Sequence, residues 1–152
     1  MARLSIITIP KNEEFLRQVA KDFDLNLLND PSWQSFIRDL TETMYAADGV
    51  GLAAPQIGQS LRLIAVDLEG EAQIMINPKI TKKSWRQATA EEGCLSVPKF
   101  YGPVKRHKKI TVEFFDAQGR PQKKSYRDIS ARIVQHETDH LDGVLFIDKL
   151  VK

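Results

Sequence analysis

Cysteine is nearly absent: Cys94 stands alone in 152 residues. A lone thiol forms no internal disulfide, which excludes the small secreted scaffolds that disulfides hold together. Long hydrophobic runs are missing too, since none approaches the roughly 18 residues a membrane helix needs. Neither sign of charge dominates. The 22 Lys and Arg against 20 Asp and Glu leave a net charge of +2, too little to argue for nucleic acid. There is no repeat, low-complexity tract or linker. In the N-terminal segment Met1-Ala2-Arg3-Leu4-Ser5-Ile6, the acidic pair Glu13-Glu14 follows too early for a signal or transit peptide. The expectation is a soluble cytoplasmic protein. What is present, 42% hydrophobic and 28% charged residues, excludes a disordered chain and a coiled coil. The length suits one domain.

Local patterning is mixed. Residues 4–9 are apolar and β-branched and read as a strand or extended edge, and 15–20 as a short helix. Asp30 before Pro31 is a good helix start, because Asp caps and Pro suits the first turn. Trp33, Phe36, Ile37, Leu40, Met44 and Ala47 recur at helical spacing as one core-facing stripe, with Gly49 as the stop. Three glycines and a proline in 49–58 argue against a regular element there. Residues 61–67 and 74–76 read as strands, with Asn77-Pro78 as a turn. Ile110, Val112 and Phe114 alternate with Lys109, Thr111 and Glu113, a half-buried strand. A turn at 117–121 leads into a partner strand at 123–127. A second helix, capped by Asp128 or Ser130, carries Ile133, His136, His140 and Leu141 and stops at Asp142-Gly143. Strands between two helices with short connections predict an α+β fold with mainly antiparallel sheet.

Three segments carry chemistry. His136-Glu137-Thr138-Asp139-His140 is an H-E-x-x-H pattern. On a helix, residues four apart share a face, so both imidazoles can reach one metal ion. Glu137 then stands near enough to handle a metal-bound water. The bland alternative is a solvated helix face. Two histidines leave a metal short of ligands, because catalytic sites typically use three protein ligands plus water. Cys94, in Glu91-Glu92-Gly93-Cys94-Leu95-Ser96-Val97-Pro98, is the obvious third; otherwise it is an inert buried thiol, the usual fate of a lone one. A thiolate suits zinc or iron(II) and excludes magnesium or calcium. It also weakens the metal as a Lewis acid, so a developing oxyanion needs further help. Gln56, after the rigid Pro55, offers an amide donor, and Gly49 and Gly51 would let another backbone approach. Taken alone, that segment reads better as a tight loop with a surface glutamine.

Together the segments match, in order, the three motifs of the peptide deformylase family. Gly49-Val50-Gly51-Leu52-Ala53-Ala54-Pro55-Gln56 matches G-x-G-[LI]-A-A-x-Q. Glu92-Gly93-Cys94-Leu95-Ser96 matches E-G-C-L-S. Gln135-His136-Glu137-Thr138-Asp139-His140-Leu141-Asp142-Gly143 matches Q-H-E-x-D-H-[LI]-x-G. Ile9-Pro10 with Leu16-Arg17, Asn77-Pro78, Val104-Lys105-Arg106 and Gly143-Val144-Leu145-Phe146-Ile147-Asp148 extend the likeness. The chain resembles that family over almost its whole length.

The resemblance implies mainly antiparallel sheets around a central helix that bears H-E-x-x-H, in one catalytic domain over 1–152. It implies a hydrolase that removes the N-formyl group from the initiator methionine of nascent polypeptides and releases formate. Cys94, His136 and His140 would bind one divalent metal ion. The family's usual ion is iron(II), although ligand chemistry alone favours zinc; zinc, nickel or cobalt are the substitutes expected in purified protein. A metal-bound water would attack the formyl carbon, with Glu137 as general base and then acid. Gln56 and the backbone N–H of Leu95 would form the oxyanion hole. Ile133 and Ile129, three and seven residues before His136 on one helix face, join Val50 as candidates for the methionine pocket. The peptide would add as a strand near Gly51. Glu92, Gln135 and Asp139 are candidates to orient the imidazoles. The partners implied are formylmethionyl nascent peptides, with no DNA or membrane, and the protein is read as a monomer.

Many bacterial members continue into a basic C-terminal helix that contacts the ribosome. This sequence stops at Lys152 and is similar in that to compact members carried by some bacteriophages; a phage source would place it in the host cytoplasm. A transient ribosome contact would then fall to the basic run Lys105, Arg106, His107, Lys108 and Lys109, whose commoner reading is a solvated strand edge. Tyr101 or Arg106 is the candidate to replace an arginine with which some members bind the peptide. Three rivals stand beside this reading. One is another H-E-x-x-H peptidase, with His or Glu as third ligand. Another is a closed structural zinc site, with a fourth ligand such as His107. The last is an inactive relative, for which no expected residue is missing.

Overall fold

The computed structural model describes residues 3–152, so Met1 and Ala2 of the N-terminal segment lie outside it. Three helices, α1 (Glu13–Leu16), α2 (Pro31–Ala46) and α3 (Asp128–Leu141), frame seven strands. The strands are β1 (Gly51–Ala53), β2 (Leu63–Leu68), β3 (Glu71–Lys83), β4 (Gln87–Cys94), β5 (Val97–His107), β6 (Lys109–Phe115) and β7 (Pro121–Arg127). Five form a sheet in the order β1-β2-β3-β6-β7, and β4 and β5 form a separate hairpin. Every pairing between these strands is antiparallel, as expected.

Strand β2 shows how the layers meet. Its residues are buried on both faces. Leu63 and Ala65 join Ile37, Leu40 and Met44 of α2 in one cluster. Ile64, Val66 and Leu68 join Val112, Phe114 and the α3 residues Ala131, Val134 and Leu141 in another. The period of two in a strand thus divides one apolar run between two helices. A third cluster, Leu16, Val97, Val104, Leu145 and Phe146, fills the space beneath the hairpin.

Several local expectations are corrected. Asp30 caps α2 as read, accepting from the Ser32 N–H at 2.9 Å, but the helix ends at Ala46 and Asp48, not Gly49, takes the left-handed conformation (φ 57°). Residues 49–58 do contain regular structure, the short β1 followed by a 3₁₀ turn at Ala54–Ile57. Asn77-Pro78 lies inside the 13-residue β3 as a bulge. Asn77 adopts φ 51°, which Asn tolerates better than most residues. Its side chain bonds both the N–H and the C=O of Phe23, at 2.8 and 3.0 Å. The N-cap of α3 is Arg127, with no side-chain cap; Asp128 is the first helical residue and Ser130 is buried within the helix. Residues 4–9 form no strand, Ile9 already standing in a turn, and α1 lies earlier than expected. The hairpin β4–β5 had no counterpart in the sequence reading. Its glycines mark close approach: a Cβ on Gly93 would lie 2.5 Å from the Tyr101 ring.

Candidate metal centre

Cys94 ends β4, while His136 and His140 project from one face of α3. One donor atom from each comes within 4.8 Å of the other two, and Cys94 Sγ lies 3.3 Å from His140 Nε2. Among the described residues this donor group has three protein members, which leaves a coordination position open. His107 is not in it; its Nδ1 lies 2.7 Å from the Ser84 carbonyl. Thiolate and imidazole suit a borderline transition-metal ion such as zinc or iron(II), so the residues fit the metal that the motif implies. His140 Nδ1 is buried with no hydrogen-bond partner among the described residues.

The imidazoles are held unequally. His136 Nδ1 is 2.8 Å from Glu92 Oε1, which leaves Nε2 to face the centre, and the Phe146 ring stacks on its other side at 6.1 Å. Glu92 is itself clamped. Arg106 donates to both its oxygens at 2.9 Å, and Arg132 donates to Oε2 at 2.6 Å. Burial alone would raise the Glu92 carboxyl; hydrogen bonds from His136 and Arg106 instead hold it well below the usual carboxylate range. Arg132 also reaches the Val104 and Ala88 carbonyls, so one guanidinium ties α3 to both strands of the hairpin that carries the cysteine. Of the three residues expected to orient imidazoles, only Glu92 does so. Gln135 binds the backbone of His107 and Ala131, and Asp139 pairs with Arg106 and Lys149.

Arg106 is 3% exposed. It therefore neither contributes to a surface run over 105–109 nor faces the cavity where it could grip a peptide. Tyr101 does line that cavity. Sequence reasoning missed Arg132; the signal was an arginine four residues before His136 between the apolar Ala131 and Ile133.

Gln56 is buried, not the surface glutamine of the bland reading. Its Oε1 accepts from the Ala53 N–H at 2.9 Å. That contact fixes the flip of the amide, so Nε2 must point the other way. It donates to Ser96 Oγ at 3.1 Å and approaches Cys94 Sγ at 3.6 Å. The N-terminal segment pins both loops: Ile7 N–H donates to the Gln56 carbonyl and Ile9 N–H to that of Ser96.

Glu137 is 4% exposed, with Oε1 lacking any hydrogen-bond partner among the described residues. Burial pushes its carboxyl up to about 7, against the pull of His136. Burial disfavours a charge on His136 too, but Glu137, the Cys94 sulfur and Glu92 outweigh it and bring that ring to about 10. Burial and the neighbouring His136 keep His140 neutral. Strand β1 passes directly over Glu137: a Cβ on Gly51 would lie 2.3 Å from Oε2.

The centre opens into a cavity of about 410 Å³. Val50, Gly51, Ile129 and Ile133 all line it, with Leu95 beside Cys94. Val50 and Ile129 are 54% and 64% exposed, while Ile133 is 8% exposed. Ile129 is therefore not an ordinary core residue.

Residues 4–152 match the family model described as polypeptide deformylase. The peptide deformylase of Pseudothermotoga lettingae is 54% identical over 119 residues, 78% of this chain and 69% of that one. That of Brucella suis is 42% identical, over 97% of this chain and 84% of its own. Among solved structures, the peptide deformylase of Thermotoga maritima superposes with a TM-score of 0.92 at 35% identity over the whole of both chains. The enzyme of Synechococcus elongatus, in complex with actinonin, gives 0.90 at 40% identity over 98% of this chain and 79% of that one.

Proposed function

This chain belongs to the polypeptide deformylase family, and on that premise we propose that it removes the formyl group from the initiator methionine of nascent polypeptides and releases formate. The carrying observation is the Cys94, His136 and His140 cluster, open to an apolar-walled cavity beside Glu137, whose Oε1 has no hydrogen-bond partner among the described residues. A divalent ion held by these three residues, iron(II) by the family resemblance with zinc, nickel or cobalt as substitutes, would supply Lewis-acid chemistry, acidifying water and polarising the formyl oxygen.

The chain's own residues do the rest. Glu137 accepts the proton of the attacking water at its carboxylate and returns it to the leaving amine. A carboxyl raised toward neutrality suits both tasks. The Gln56 amide, aimed at the site because its oxygen is committed to Ala53, and the Leu95 N–H meet the charge that grows on the formyl oxygen. Val50, Ile129 and Ile133 receive the methionine side chain. Strand β1 ends the five-stranded sheet, so its outer edge at Gly51 accepts the peptide as an added strand through backbone bonds. Such recognition ignores later side chains, as an enzyme acting on most nascent chains requires. We place the whole of 1–152 in one catalytic domain of a monomeric cytoplasmic enzyme. No helix among the described residues is long and apolar enough to cross a membrane.

The test is formate release from a formylmethionyl tripeptide by anaerobically purified, iron(II)-loaded protein, with the acetylated peptide as control. Release from the formyl peptide alone is expected. Glu137→Ala should keep the metal and lose turnover. No release from folded, metal-loaded protein would refute the proposal.

A further inference from the structure

The near-neutral net charge conceals a strong segregation. Residues 79–127 hold thirteen Lys and Arg against four Asp and Glu, a net charge of +9, and the remainder of the chain carries −7. The fold gathers much of the positive share on one sheet face. In β3, β6 and β7 the partners Lys82↔Thr111↔Ser125, Lys109↔Arg127 and Lys79↔Glu113↔Lys123 lie directly opposite one another. Directly opposed residues share a face. Ile110, Val112 and Phe114 alternate with these residues and are buried against α3, so this set forms the outer face. It presents five cations and one carboxylate. None of the five cations lies in an ion pair among the described residues. At its centre the hydroxyls of Thr111 and Ser125 meet at 3.0 Å.

At one end of this face stands Trp85, 95% exposed, in the connection between β3 and β4. The connection is well tied down. Ser84 N–H donates to the Lys109 carbonyl at 2.8 Å, Lys109 N–H to Ser84 Oγ at 3.0 Å and Lys108 N–H to the Arg86 carbonyl at 3.0 Å. A large aromatic ring is thus displayed in water on a fixed loop, between Ser84 and Arg86. Leaving an indole unburied forgoes a large hydrophobic gain, which asks for an occupant.

We infer that this face binds single-stranded RNA. The cations meet backbone phosphates, Trp85 stacks on an unpaired base, and the central hydroxyl pair meets ribose 2′-hydroxyls. Charge complementarity selects a polyanion. An anionic membrane fits less well, because the face offers no second apolar anchor beside Trp85. A DNA strand lacks the 2′-hydroxyl that Thr111 and Ser125 would read. The inference is independent of the catalytic proposal: none of these residues lines the metal-centre cavity.

The test is fluorescence anisotropy of a labelled ten-residue oligouridine titrated with the whole protein. Deoxythymidine oligomers and anionic vesicles serve as the other arms, and Trp85 emission is followed in parallel. Binding with quenching is expected at 50 mM salt. With about four phosphates neutralised, affinity should fall roughly fiftyfold by 200 mM. Trp85→Ala should weaken binding at least about fivefold while Trp85→Phe keeps most of it. Lys82→Glu with Lys109→Glu should abolish binding, and all variants should keep wild-type deformylase turnover, which also shows that they fold. Absence of RNA binding at 50 mM salt, indifference to the charge reversals, or equal or tighter binding to DNA or vesicles would overturn the inference.

Discussion

Gly51→Ala isolates the contact between strand β1 and the proposed proton carrier. Gly51 lies in a strand and has no left-handed φ, so alanine meets no backbone strain there. Its Cβ, however, would stand 2.3 Å from Glu137 Oε2 and 2.7 Å from both Cγ and Cδ. Carbon atoms rest at about 3.5–4.0 Å, so the pair must separate by about 1 Å. Glu137 is buried at the cavity wall, so relieving the clash displaces its carboxylate from beside the metal centre. Overpacking of this kind costs about 1–3 kcal/mol, or a fall in Tm of roughly 2–12 °C for a chain this long. A 1 Å misplacement near reacting atoms costs about 10²-fold in rate. We therefore expect kcat on a formylmethionyl tripeptide to fall about a hundredfold with metal content unchanged. Glu137→Asp removes one methylene and makes room. In a double-mutant cycle, the stability cost of Gly51→Ala should shrink in that background by about 0.5–3 kcal/mol. A Gly51→Ala enzyme within about threefold of wild-type kcat, with an unchanged Tm, would refute the reasoning.

Three further outcomes follow from the same centre. Glu92→Gln leaves Arg132 as an uncompensated buried charge and Arg106 with Asp139 alone, so thermal melts should show a loss of about 3–5 kcal/mol; metal titration should show about 10–100-fold weaker binding. Glu92 also makes stability depend on pH. Its folded carboxyl lies well below the ordinary value of 4.5, so its contribution is full above that pH and is lost on acidification. The wild type should lose stability progressively below about pH 5, and Glu92→Gln should flatten that limb of the curve. Chelation of a metal present at about a thousand times its Kd removes about 4 kcal/mol, which calorimetry should read as a Tm lower by roughly 8–16 °C.

Where burial was one-sided, the sequence could be read. The α2 stripe and the alternation in β6 each face one core, so their periods survive in the residue order. The hairpin β4–β5 could not be read that way. It carries few apolar residues, and its glycines serve close packing against Tyr101 and Leu150 instead of turns. Asn77-Pro78 looked like a turn because turn residues also suit a bulge. Only the pairing of β3 with β2 on one side and β6 on the other tells the two apart.

The grouping of Cys94, His136 and His140 was legible because spacing on one helix and one motif points to it directly. Their support was not, because it is assembled from parts far apart in the chain. Glu92 comes from β4, Arg106 from β5 and Arg132 from α3, and they meet around one carboxylate. In the sequence Arg106 sits among lysines and looks solvated; in the fold the strand's period of two turns it inward while Lys105 faces out. That inward turn makes the cluster a joint. Glu92 is the one carboxylate that both guanidiniums share, with Arg106 paired also to Asp139 and Arg132 bonded also to backbone carbonyls, so removing any member leaves buried charge poorly compensated. The joint therefore forms when α3 docks on the hairpin, and the same docking brings Cys94 to the two histidines. Arg132→Met tests this. It removes a guanidinium that touches no proposed ligand, so if the joint sets the approach of hairpin to helix, metal affinity should fall about tenfold or more in a folded protein. Unchanged metal affinity would show that β1, Gln56 and the ligands themselves suffice to place Cys94.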